Sequence, residues 1–163
     1  MVEIERKFLI DAPDLSHPVL RGAAKRDIEQ RYLEPDDRGG TRRVRRVVED
    51  GGVRFFETVK HPAGPGTREE DVYEIDAAAH DRLVPAQLPG TRVIRKRRLV
   101  FEDGGQVWEL DCFEDPPDLF LLEVELDSLD RAIEPPAFIA IVREVTHDPG
   151  YSNAALAGVP GGG

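Results

Sequence analysis

The sequence offers little for stapling, anchoring or coating. It has one cysteine, Cys112, in 163 residues, which excludes an internal disulfide and fits a reducing cytosol. Cys112 is expected to be a small buried residue rather than a nucleophile. No apolar run approaches the roughly 20 residues of a membrane-spanning helix. No apolar signal core follows the N-terminus, so a cytoplasmic location without membrane contact is expected. A basic excess is also missing: 22 Lys and Arg stand against 32 Asp and Glu, a net charge of -10. That lacks the footprint of a general nucleic-acid binder. The histidines, His17, His61, His80 and His147, have no metal-ligand spacing, so no zinc site is expected. No linker divides the chain, which reads as one domain over residues 1–163 with a flexible tail at 158–163.

What the chain does have is charge in blocks. DRGGTRRVRR holds five arginines, and RVIRKRR (92–98) holds five basic residues in seven. Such blocks in an acidic chain suggest a specific anionic ligand. Alternation predicts strands near 2–10, 27–33, 41–49, 53–60, 68–76, 92–102, 106–114 and 119–127. Helix is expected over DAAAHDRLVPAQ, from Ser128 to Arg143 with a break at Pro135-Pro136, over YSNAALAG, and briefly around Val19–Lys25. EDGG occurs at 49–52 and again at 102–105, each time between a basic strand and a mixed one. Asp-Gly in such a place is a hairpin signal. With Asp50-Gly51 as turn residues, Arg45 meets Phe56 and Arg43 meets Thr58. With Asp103-Gly104, Arg98 meets Glu109 and Lys96 meets Asp111.

Alternate residues of a strand share a face. One face per strand then collects Glu3, Glu5 and Lys7; Arg43 and Arg45; Thr58 and Lys60; Arg68, Glu70 and Glu74; Lys96 and Arg98; Glu109 and Asp111; Glu123 and Glu125. The opposite faces are largely apolar. Arg42, Arg46, Arg95 and Arg97 fall on the opposite parity and read as outward arginines, while Phe101 and Trp108 read as packing residues. The plainer reading is an antiparallel sheet with one wet face. Recurrent like-charge pairs at i, i+2 favour a closed or nearly closed barrel with a charged lumen and apolar outer faces. Carboxylate clusters suit Mg²⁺ or Mn²⁺, and Arg and Lys clusters suit phosphates. Together they describe a site for a metal–polyphosphate complex and for metal-assisted phosphoryl hydrolysis.

The motifs in their order resemble the CYTH superfamily, the triphosphate tunnel metalloenzymes. Glu3, Glu5 and Lys7 match its ExExK; Arg43 and Arg45 its R-x-R; Thr58 and Lys60 its T-x-K; REEDVYEI its Y-E-I strand. Lys96 and Arg98 match K-x-R, Glu109 and Asp111 E-x-D, Glu123 and Glu125 E-x-E, and EVTHDPGYSNAALA the closing segment. The resemblance covers almost the whole chain and looks most like short bacterial inorganic tripolyphosphatases. One departure is Asp148-Pro149-Gly150, where the family often carries basic residues before its tyrosine.

The resemblance implies a mainly β fold, an eight-stranded antiparallel tunnel with a few flanking helices. It implies metal-dependent hydrolysis of inorganic triphosphate to diphosphate and phosphate. Class IV-type adenylate cyclase, thiamine or nucleoside triphosphatase, and a noncatalytic polyphosphate-binding module stand as alternatives. Glu3, Glu5, Glu123 and Glu125, with Asp111, are the expected metal ligands. Lys7, Arg43, Arg45, Lys60, Arg68, Lys96 and Arg98 are expected on the phosphate path. Lys96, Glu109 and Asp111 are the catalytic candidates, with simple cross-strand ion pairs as the plainer role for the last two. A small-molecule triphosphate is the expected partner, and a homodimer is left open.

Overall fold

The computed structural model describes residues 2–64, 67–128 and 130–161, with the side chains of Val2 and Glu3 outside that description. Nine strands form one sheet: β1 (Val2–Ile10), β2 (Ala24–Leu33), β3 (Thr41–Glu49), β4 (Gly52–Gly64), β5 (Thr67–Ile75), β6 (Ile94–Asp103), β7 (Gln106–Asp115), β8 (Phe120–Glu125) and β9 (Ile141–Glu144). Their order is β5-β4-β3-β2-β6-β7-β8-β1-β9, and a further β5–β1 pairing closes the first eight strands into an antiparallel barrel. Closure removes free sheet edges. The seam is short, with Val2↔Glu69, Glu3↔Arg68 and Ile4↔Thr67. Further along the same edge of β1, β9 takes over at Phe8↔Glu144. Between them the terminal segment covers the edge: Val145 N donates to Lys7 O at 2.8 Å, and Lys7 N donates to Thr146 Oγ1 at 3.0 Å.

The first hairpin has the expected register, Arg45↔Phe56 and Arg43↔Thr58. Its turn residues have positive φ, 51° at Asp50 and 75° at Gly51, as a two-residue primed turn requires. The second hairpin differs. Asp103 pairs with Gln106, so Gly104-Gly105 forms the turn, and Arg98 faces Asp111 rather than Glu109. This register also sets buried Phe101 opposite buried Trp108. The shift is by two residues, so every side chain keeps its expected face.

The apolar faces point outward, and the main core lies on the outside of the barrel wall. Phe8, Ile10, Leu99, Phe101, Trp108, Leu110, Leu122 and Val124 form it, covered by Leu20, Leu126 and Ile139 from flanking segments. Leu20 sits on the four-residue helix α1 (Pro18–Arg21). The helix expected between Ser128 and Arg143 is absent from the described residues there, which run without regular structure into β9. Pro135 and Pro136 lack the N–H that a helix interior needs. Ile133, Phe138 and Ile139 instead pack as an irregular strap over the core, with Phe138 stacked on His17 at 4.0 Å. Cys112 is half-buried rather than fully enclosed, and burial pushes its thiol up to about 11.

On the far side of the barrel, Asp76 caps α2 (Ala77–Leu83) by accepting from Ala79 N at 2.7 Å. The helix lays His80 against Phe55, 4.7 Å between ring centroids. His80 is buried, and its Nε2 has no hydrogen-bond partner. Burial, then nearby Arg31, lowers its pKa against the pull of Asp81 and Glu29. The unfolded chain therefore binds a proton more readily than the native one below about pH 6.5, and stability is lost as the pH falls through that window. Urea unfolding of wild type and His80→Phe should show wild type losing stability relative to the variant from pH 7 to pH 5. A constant difference across that range would contradict the burial argument.

Candidate active site

The barrel encloses a cavity of about 570 Å³ lined by the charged strand faces. Strand order gathers most of the lining by sign, with Glu70 of β5 among the cations and Lys7 of β1 among the carboxylates. Adjacent strands β5, β4, β3 and β2 contribute Arg68, Lys60, Arg43, Arg45 and Gln30. On the other arc, β7, β8 and β1 contribute Glu109, Glu123, Glu125 and Glu5. Between the arcs, β6 presents Lys96 and Arg98. The sequence-expected residues Lys7, Arg43, Arg45, Lys60, Arg68, Lys96, Arg98, Glu5, Glu109, Glu123 and Glu125 all line this one cavity. Glu3 lies on the seam opposite Arg68, but its side chain is outside the described residues. Glu74 lies apart, in an exposed ion pair with Arg54 at 2.8 Å. The opposite-parity Arg42, Arg95 and Arg97 pair on the outside with Glu57, Glu29 and Asp27.

The β6–β7 side is tightly neutralised. Asp111 is fully buried and uses both oxygens: Oδ1 accepts from Arg98 Nε at 2.7 Å, and Oδ2 from Arg98 Nη2 at 2.9 Å and Lys96 Nζ at 2.8 Å. Arg98 also donates to Glu109 Oε2 at 2.8 Å. Burial opposes the Asp111 charge, but Arg98 and Lys96 outweigh it and hold the carboxyl well below its usual range. Lys96 fares differently. Burial pushes its ammonium down to about 8, and Arg98 adds to the push against Asp111. Lys7 is buried too, but Glu123 and Glu5 outweigh that burial and raise its pKa.

The β2–β4 arc is short of counter-charge. Arg43 and Lys60 reach the same carboxylate, Glu70, at 4.0 and 3.8 Å. Among the described residues, no carboxylate lies within ion-pair distance of Arg45, whose guanidinium rests 5.9 Å from the Phe56 ring. Burial, followed by repulsion from Arg43 and Arg98, pushes Arg45 down to about 9. The Nε atoms of Arg43 and Arg45, Thr58 Oγ1 and Gln30 Oε1 are buried without hydrogen-bond partners. Each such group costs about 1–3 kcal/mol when left unmet. A cluster of them on one wall marks where a ligand would supply partners. On the acidic arc, Glu5 is the cross-strand neighbour of Glu125, and Glu109 that of Glu123. Like charges facing each other across strands repel. Glu123 Oε1 has no hydrogen bond, although Lys7 Nζ lies 3.4 Å away.

Towards one end the inward positions turn apolar. Leu9, Tyr32, Ile94, Phe113 and Leu121 pack with Val145, Tyr151, Ala154 and Ala157 of the terminal segment. That segment carries the short helix α3 (Asn153–Leu156). It reaches the tunnel lysines: Lys7 Nζ donates to the Tyr151 carbonyl at 3.1 Å, and Lys96 Nζ to Asn153 Oδ1 at 3.0 Å. Gln30 and Tyr32 line the cavity without having been singled out from sequence, and Asn153, a position of the closing Y-x-N-x-x-L-A segment that was given no role, lines it too. Strand parity on β2 carries the signal for Gln30 and Tyr32. The closing segment's motif marks Asn153, but its contact with Lys96, 57 residues away, has no local signal.

A closed barrel with basic and acidic side chains lining one cavity defines a charged antiparallel tunnel. No family model matches the sequence, and no curated protein matches it. Among solved structures, the inorganic triphosphatase NE1496 is 33% identical over 95% of this chain and 97% of its own, with a TM-score of 0.62. The PH1819 protein of Pyrococcus horikoshii OT3 is 21% identical over 78% of this chain and 80% of its own, with a TM-score of 0.59. A putative adenylyl cyclase from Hippeastrum, HpAC1, is 18% identical over 77% and 80%, with a TM-score of 0.55. The latter two show the shared fold. The chain belongs to the CYTH, or triphosphate tunnel metalloenzyme, superfamily.

The strain at Arg45 can be tested. Replacing it with Met removes a charge that lacks a counter-ion and a donor that lacks an acceptor. Arg45→Met should therefore raise the stability of the ligand-free protein by about 1–3 kcal/mol in urea unfolding. The same variant should bind inorganic triphosphate at least about tenfold more weakly, the scale of one charge-assisted hydrogen bond. Loss of stability with unchanged affinity would contradict this account.

Proposed function

We propose that this chain hydrolyses inorganic triphosphate to diphosphate and phosphate within the tunnel, with Mg²⁺ or Mn²⁺ as cofactor. The observation that carries the reading is one cavity that sets Arg43 and Arg45, whose buried Nε atoms have no acceptor, together with the cross-strand carboxylate pair Glu5 and Glu125. A metal–triphosphate complex relieves both. The 33% identity to an inorganic triphosphatase over nearly the full length supports the same reading.

The donor set fits a small hard cation. Glu5 and Glu125 face each other, and Glu123 offers a buried oxygen without a hydrogen bond. The described residues hold no ready-made group of three metal-binding side chains. Mg²⁺ commonly takes one or two carboxylates and completes its shell with water and substrate phosphates. Glu5, Glu123 and Glu125 are the residues that would hold it, with Glu3 the further candidate. When bound, the cation supplies charge neutralisation and Lewis-acid polarisation of phosphoryl oxygens.

The chain's own residues do the rest. Arg43, Arg45, Lys60 and Arg68 bind the phosphate chain along the basic arc and hold it extended. Lys7, Lys96 and Arg98 face it from the other side and meet negative charge that builds as the phosphoryl group transfers. Among the described residues Glu109 pairs with Arg98, and its side chain is 30% exposed, which leaves it placed to orient the attacking water. Asp111 is committed to Lys96 and Arg98 and serves as their positioning residue. Water attacks the terminal phosphorus, the bond to the bridging oxygen breaks, and diphosphate leaves with the electron pair.

Phosphate release should be measured across inorganic triphosphate, thiamine triphosphate and nucleoside triphosphates, with and without Mg²⁺, Mn²⁺ and a chelator. Inorganic triphosphate should turn over fastest, and chelation should abolish release. Glu5→Gln should lower kcat/KM on the order of 100-fold, as expected when a metal carboxylate is lost. Cyclic nucleotide formation, or equal rates in the variant, would count against the reading. Metal-dependent binding without turnover would make the chain a polyphosphate-binding module.

A further inference from the structure

The two tunnel lysines share an arrangement that the roles above do not use. Lys96 Nζ donates to Asp111 Oδ2 at 2.8 Å and to Asn153 Oδ1 at 3.0 Å. Lys7 Nζ donates to the Tyr151 carbonyl at 3.1 Å and lies 3.4 Å from Glu123 Oε1. Each ammonium thus has one carboxylate and one neutral oxygen, and both neutral oxygens come from residues 151–153. An ammonium carries three donors in tetrahedral array. With two directions set by the protein at Lys96, the third is set as well. Lys96 is 4% exposed, and the Phe113 ring lies 5.3 Å from its Nζ, so the head group has little room to swing.

The side chain of Asn153 has no evident local duty. Ser152 caps α3, its Oγ accepting from Ala155 N at 3.0 Å. Asn153 Oδ1 is spent on Lys96, and the residue lines the cavity. A neutral acceptor suits this place. It aims the ammonium without adding a second full negative charge where a polyanion must enter.

We propose that Asn153 is a positioning residue for Lys96: with Asp111 it fixes the ammonium so that the remaining N–H points at a phosphoryl oxygen of the bound chain. The inference rests on the triphosphate reading above. Asn153 acts through Lys96 alone, so removing it matters where Lys96 is present and not where it is absent.

The test is a double-mutant cycle read by calorimetric titration with inorganic triphosphate. Asn153→Leu keeps the branched shape and the number of heavy atoms and removes the acceptor. In the wild-type background it should weaken binding about tenfold, the scale of a hydrogen bond to a charged group. In a Lys96→Met background the same change should cost less than about twofold. Asn153→Ser, whose hydroxyl is too short to reach Lys96, should repeat the pattern and serves if the leucine variant folds poorly. Equal losses in both backgrounds, or no loss in wild type, would overturn the positioning role. If the wild-type protein fails to bind triphosphate at all, the triphosphate reading falls first, and the two failures are told apart by that control.

Discussion

The repulsion among guanidinium groups on the inner wall of the barrel is the constraint from which the rest follows. Arg43 and Arg45 are held inward by strand pairing; Arg43 has only Glu70, at 4.0 Å, while Arg45 is repelled by both Arg43 and Arg98. A fold selected for stability alone would neutralise them. The protein instead sets carboxylates in facing pairs on the opposite arc, Glu5 beside Glu125 and Glu109 beside Glu123, where like charges repel. The two conflicts are complementary, and under the function proposed here an extended polyanion carrying a divalent cation would relieve both.

The barrel makes this arrangement affordable. An ordinary sandwich buries its apolar faces inside, so a charged interior would leave it without a core. Here the core lies outside the wall, under the segment around α1 and the irregular strap through Phe138 and Ile139. The interior is therefore released from packing, and strand alternation can deliver charge to it at every second position. Where the inward faces do turn apolar, at Leu9, Ile94, Phe113 and Leu121, they dock the terminal segment that steadies the lysines.

Much of this was legible in the sequence, because alternation fixes which residues share a face whatever the pairing. The second hairpin shows the point. Its register slips by two residues from the Asp-Gly expectation, yet Lys96, Arg98, Glu109 and Asp111 all stay on the inner face, and the expected Lys96–Asp111 and Arg98–Glu109 contacts still form. What the sequence could not show depends on three-dimensional placement. The stretch around Pro135 and Pro136 has enough apolar residues to suggest a helix, but their partners are on the barrel's outer wall and the prolines forbid the ladder. Gln30 carries no charge and drew no notice, although its buried position opposite Arg45 puts it in the tunnel. Asn153 meets Lys96 only because the terminal segment folds back across the barrel.

The most direct measurement is a crystal structure of the protein with inorganic triphosphate and Mn²⁺, using the anomalous signal to place the metal. The account predicts the phosphate chain lying between Arg43 and Arg45 on one wall and Glu5, Glu123 and Glu125 on the other, with the metal on the carboxylate side. A triphosphate bound on the outer surface, or a tunnel whose arginines remain without an anion at saturating ligand, would contradict it.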